Sequence, residues 1–171
     1  EQPYYVIKIA SGFYDNPTLG IKSSQGLMLV FSQQTGELLS VLLDEGYLTD
    51  VRTTIASMIT LKYLAPKNVE HIGIVGTGTQ AQMQLDFLHL VSDCKSIVVW
   101  GRNDKHAKDF KNCFKDSTYK IQIANDLDEL TSSCQVIITT TPAREPLLSW
   151  GQIMPGTHIT ALGSETSEKI E

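Results

Sequence analysis

The chain has 171 residues, a formal net charge of -5 and a hydrophobic fraction of 42%, enough for one full core and part of a second. Mild acidity without a basic face excludes general nucleic-acid binding, and no apolar run approaches the roughly 18 residues needed to cross a bilayer.

The opening Glu1-Gln2-Pro3-Tyr4 carries neither an initiator methionine nor a signal-peptide pattern. It reads as the middle of a longer chain, from which native localisation signals can be missing. Residues 4–44 hold three β-like runs, "YYVIKIA", "GLMLVF" and "LLSVLLD". The last two are joined hairpin-fashion by "SQQTGE", and the first two are separated by the loop "SGFYDNPTLGIKSSQ". A helix follows over "LTDVRTTIASMITLKYLA", with Thr49 as N-cap and an apolar stripe of Val51, Ile55, Met58, Ile59 and Tyr63 beside Lys62. Pro66 ends it.

From about residue 69 strands and helices alternate: "HIGIVG", "TQAQMQLDFLHLV", "SIVVWG", "DKHAKDFKNCFK", "YKIQIA", "DLDELTSS", "QVIITTT" and "THITALG". Such short strands close only as a wound parallel sheet with right-handed crossovers. The fold expected is therefore α/β: a Rossmann-type wound parallel sheet over 67–171, preceded by part of a β-rich domain over 1–66. Cys94, Cys113 and Cys134 form no CxxC pair and read as buried or half-buried thiols of a reduced, cytoplasmic protein. His71, His89, His106 and His158 show no metal-ligand spacing, so no metal site is expected.

Gly76-x-Gly78-x-x-Ala81 follows a strand and opens a helix. The first glycine permits the tight turn and the second lets a diphosphate approach the backbone. Ala81 lets helix and strand pack closely, and the helix N-terminus receives the anion. A structural turn that binds nothing is the alternative. The next strand ends on Gly101 and Arg102, with Lys105 a turn later, where an NAD site usually has a carboxylate. A guanidinium can hold a 2′-phosphate in a fork of hydrogen bonds, which favours NADP(H) over NAD(H). A solvated Arg102 at a helix start is the plainer reading. In "TTTPARE", Thr140 and Thr141 stand where ribose or nicotinamide would lie, or simply finish a strand.

Lys8 interrupts an apolar run and points either to solvent or to a partner. Arg52, in the first turns of a helix, sits where a cation is electrostatically unhelpful unless it and the helix end serve together as an anion site.

"VIKIASGFYDNPTLG", "GYLTDVRTTIASMITLKYLAPKNVEHIGIVGTGTQAQMQ" and "HITALGSETSEKIE" together resemble the ornithine cyclodeaminase/mu-crystallin family. Within it, "GFYDNPTLG" and "GYLTDVRT" look closest to members associated with ectoine utilisation. Family chains are longer, so by this likeness the start of the dimerisation domain and the closing C-terminal part are absent. The resemblance puts the lysine facing substrate and nicotinamide on Lys8. It puts the arginine bridging substrate carboxylate and cofactor on Arg52, beside Thr53. Further cofactor contacts fall on Ser23, Thr79 and Gln80. The acid/base carboxylate falls on Glu165, where the family has Asp, and mu-crystallin-like relatives that also lose this Asp reduce cyclic imines.

The resemblance implies an NAD(P)-dependent ammonia-lyase of the cyclodeaminase type, acting at the α-carbon of a small amino-acid substrate and working as a homodimer. A ketimine reductase or alanine-dehydrogenase-like oxidoreductase using NADP(H) is the second reading, and a crystallin-like NADPH-binding protein without turnover the third. The matches before residue 66 argue against an unrelated dehydrogenase that shares only the cofactor domain.

Overall fold

Short runs rich in apolar residues in the first segment pair into an antiparallel sheet. The computed structural model describes residues 3–13 and 15–163. The chain divides into two compact units, 1–52 and 53–171. In the first, β1 (Tyr4–Gly12), β2 (Ser24–Ser32) and β3 (Leu38–Leu43) run antiparallel in the order β1-β2-β3. The β2–β3 hairpin turns where "SQQTGE" predicts it, with the Ser32 hydroxyl accepting the Gln34 and Thr35 amides. Between β1 and β2 the loop is closed by the Phe13 N–H donating to the Ser23 carbonyl at 2.9 Å. Both faces of β1 carry exposed apolar side chains, Tyr5, Ile7 and Ile9 on one and Tyr4 and Val6 on the other. Lys8 is the one β1 residue that is not exposed.

The following helix, α1, spans Tyr47–Leu64 and stops before Pro66 as expected. It begins two residues before Thr49, so Thr49 is not its cap. The Asp44 carboxylate serves instead, accepting the Leu48 N–H at 2.6 Å. Gly46, at φ 86°, makes this entry possible, because a Cβ there would come within 2.8 Å of Ser24. The expected apolar stripe is also corrected. Thr54, Ser57, Met58 and Leu61 are buried, whereas Ile55, Ile59 and Tyr63 are exposed.

In the second unit β4 (Ile72–Val75), β5 (Ser96–Trp100), β6 (Lys120–Ile123), β7 (Val136–Thr139) and β8 (His158–Ala161) form a wholly parallel sheet in the order β6-β5-β4-β7-β8. The helices α2 (Thr79–Leu88), α3 (Asp104–Cys113) and α4 (Leu127–Ser133) make the crossovers. Strand alternation sends Ile72, Ile74, Val99 and Ile138 into one core with Met58, Leu61, Leu85, Leu88 and Phe110. It sends Val75, Val98 and Ile137 into a second core with Leu130 and Cys134. This is the wound α/β sheet that the sequence predicts. Burial pushes the Cys134 thiol up to about 11. Cys94 is half-buried, but Cys113 is exposed, contrary to expectation, because it ends α3 on the solvent side.

Candidate functional site

Three strand ends are tied together where β4 turns into α2. The Gly76 N–H donates to the Trp100 carbonyl at 2.8 Å, while the Val75 carbonyl accepts both the Thr140 N–H at 2.9 Å and its hydroxyl at 3.1 Å. Gly76 holds φ 119°, and a Cβ there would collide with the Thr140 hydroxyl. Only glycine fits this turn.

Gly78 is the N-cap of α2, and no side chain caps the helix. The other two crossover helices differ. Asn103 accepts the Lys105 and His106 amides at the start of α3, and Asp126 accepts the Glu129 amide at the start of α4. A Cβ built on Gly78 would meet nothing within 4 Å. The N-terminus of α2 therefore opens onto free space at Gly78, the geometry that accepts an anion.

That space is a cleft of about 1340 Å³ at the C-terminal ends of β4, β5 and β7. Ligands of wound α/β sheets bind at this edge. Of the sequence-predicted residues, Gly76, Gly78, Arg102, Thr140 and Thr141 line it together. Thr79 and Gln80 lie beside it in the first turn of α2, where the Gln80 amide oxygen accepts the Thr54 hydroxyl at 3.4 Å. The Thr140 hydroxyl donates to Val75, so towards a ligand it can only accept. Thr141 accepts the Ala143 N–H at 3.3 Å.

In the first unit Lys8 lies within electrostatic reach of Arg52. Partial burial lowers the Lys8 ammonium's pKa, and the Arg52 guanidinium lowers it further against the opposing pull of Asp44 and Asp50. Repulsion between the β1 ammonium and a guanidinium in the first turns of α1 is relieved by a bound anion. Ser23 is half-buried just before β2, and Thr53 is half-buried within α1. Glu165 lies outside the described residues.

The sequence reading missed Trp100, Asn103, His106 and Arg144, all on the cleft wall. Asn103 was legible as a helix cap in "RNDK", and Arg144 stood unremarked inside "TTTPARE". Among the described residues no cluster of three or more His, Cys, Asp or Glu is placed to hold a metal, and no helix is long and apolar enough to cross a membrane.

Comparison with known proteins places this geometry. Over 168 residues the chain is 37% identical to an uncharacterised cyclodeaminase of Sinorhizobium fredii, covering 98% of this chain and 51% of that protein. An archaeal alanine dehydrogenase dimer with bound NAD superposes with a TM-score of 0.91 at 33% identity, covering 99% of this chain and 52% of the other. The Δ1-pyrroline-2-carboxylate reductase of Thermococcus litoralis, in complex with NADH and L-proline, gives 0.83 at 33% identity, covering 91% and 48%. The chain thus spans about half the length of the curated relatives it matches. The model of the ornithine cyclodeaminase/mu-crystallin family matches residues 1–171, and the chain belongs to that family.

Proposed function

We propose that this chain carries the dinucleotide site and part of the substrate site of a nicotinamide-dependent enzyme acting at the α-carbon of an amino acid or its imine. The observation that carries the reading is the uncapped start of α2, opening through Gly76 and Gly78 into the cleft. A diphosphate fits there because backbone amides are aimed at it and no Cβ intrudes. When bound, the nicotinamide supplies hydride chemistry. The chain's own side chains bind, orient and move protons in the part of the site it carries.

Arg52 binds the substrate carboxylate through charge-assisted bonds worth about 1.5–3 kcal/mol each, and Lys8 holds its other side. Glu165 moves a proton at the substrate nitrogen. Arg102 takes the adenosine 2′-phosphate and favours NADP(H). Asn103 already occupies the Lys105 and His106 amides, so that phosphate would be held by side chains. Residues 1–66 serve as the substrate and dimerisation part of a cytoplasmic homodimer, and 67–171 as the cofactor part.

Cyclodeaminase-type ammonia release is the first reading, supported by the 37% identical relative. An imine reductase or amino-acid dehydrogenase is the second, supported by the two solved structures at 33% identity. The test is to saturate the chain with each dinucleotide, add ornithine, alanine or a cyclic imine, and follow ammonia together with absorbance of the reduced nicotinamide. Ammonia without net absorbance change on ornithine supports the first reading, and a matched absorbance change on alanine or imine supports the second. Turnover of none by a chain of the relatives' full length, with dinucleotide bound tightly, overturns both in favour of a binding protein.

A further inference from the structure

The glycine turn is flanked on both sides by an arginine-bearing loop. β5 and β7 are the two neighbours of β4, and Arg102 follows the first while Arg144 follows the second. Both line the cleft, and among the described residues neither guanidinium has an ion pair. Arg102 already has a role under the dinucleotide reading, on which this inference rests. Arg144 has none.

Its loop is pinned at its base. Thr140 is bound to the Val75 carbonyl through both backbone and side chain, and Thr141 accepts the Ala143 amide, so the chain reaches Arg144 from an anchored start. The cleft wall also carries Asp109 and Glu145, whose charges oppose anion binding. With Arg102 committed to one end of the ligand, Arg144 is the other arginine on the cleft wall that can offset them.

We infer that Arg144 is a second anion-binding residue of this cleft, forking onto the diphosphate from the side opposite Arg102. Planar donors match paired phosphate oxygens in a way that an ammonium does not. The diphosphate is common to both dinucleotides, so Arg144 acts on both equally, unlike a residue that reads the 2′-phosphate.

The test titrates NADH and NADPH into the 171-residue chain, reading quenching of Trp100 on the cleft wall, for wild type, Arg144→Gln, Arg144→Lys and Glu145→Gln. Arg144→Gln should weaken NADH and NADPH by the same factor of about ten, with Arg144→Lys between it and wild type. Glu145→Gln should shift both the other way, towards tighter binding. Wild-type affinity for both in Arg144→Gln overturns the inference, and a loss confined to NADPH overturns the diphosphate assignment. If wild type binds neither dinucleotide, the underlying reading fails and takes this inference with it. If wild type binds and Arg144→Gln binds equally well, only the inference fails.

Discussion

Gly76 and its neighbour Thr140 cannot both keep their places if a side chain is added at 76. Gly76→Ala should therefore cost about 1–3 kcal/mol of stability, from a disfavoured φ and a displaced Thr140, measured as a lowered denaturant midpoint. On the edge strand of the same sheet, hydroxyl protons fix a direction. Thr60 donates to the Ser57 carbonyl at 2.8 Å, so it must accept from Thr160 at 3.2 Å. Thr160 then has only its oxygen left for His158 Nε2, 2.9 Å away, which makes that nitrogen the donor.

Burial lowers the His158 imidazole below its ordinary 6.5, favouring the neutral ring in the folded state. Above 6.5 that contribution to stability is fully present. As pH falls below 6.5 the unfolded chain takes up the proton first, and the contribution is lost as pH passes through the lowered value. Unfolding free energy should decline over that window, and His158→Gln should remove this part of the slope. The glycines and Arg102 were legible in the sequence because spacing alone marks them. The Gly76–Thr140 contact and the His158 chain were not, since they join strands far apart in sequence.

At the scale of elements, α1 shows why periodicity underdetermines a face. Its apolar stripe through Ile55, Ile59 and Tyr63 and its small-residue stripe through Thr54 and Ser57 both have helical spacing. The structure buries the second, and only Met58 belongs to both readings. The strands β4, β5 and β7 carried no such ambiguity, because their central residues are apolar on both faces. The start of α1 was missed for a different reason: Asp44 reaches across Gly46 from the end of β3 rather than from the residue next to the helix. Asp44→Ala should cost about 1 kcal/mol in chemical denaturation. In α2, Gln84 is fully buried and neither atom of its amide has a partner among the described residues. Gln84→Met keeps the volume and removes the desolvation cost, and should raise stability by about 1–3 kcal/mol.

For the molecule as a whole, the parallel sheet is covered on both faces while the antiparallel sheet shows apolar residues on both of its own. Exposed apolar area on that scale marks an interaction surface and agrees with the homodimer proposed above. Light scattering should return a dimer mass, reduced to that of a monomer by Ile7→Glu. The central claim is that the uncapped helix start at Gly78 receives a diphosphate, and calorimetric titration of NADPH and NADH into wild type and Gly78→Val tests it most directly. A Cβ at 78 meets no protein atom within 4 Å, so the variant should fold, at a cost of about 1 kcal/mol for the poorer cap, yet lose both dinucleotides, which the wild type binds one per chain. Equal affinity in Gly78→Val, or no binding by the wild type, would contradict it.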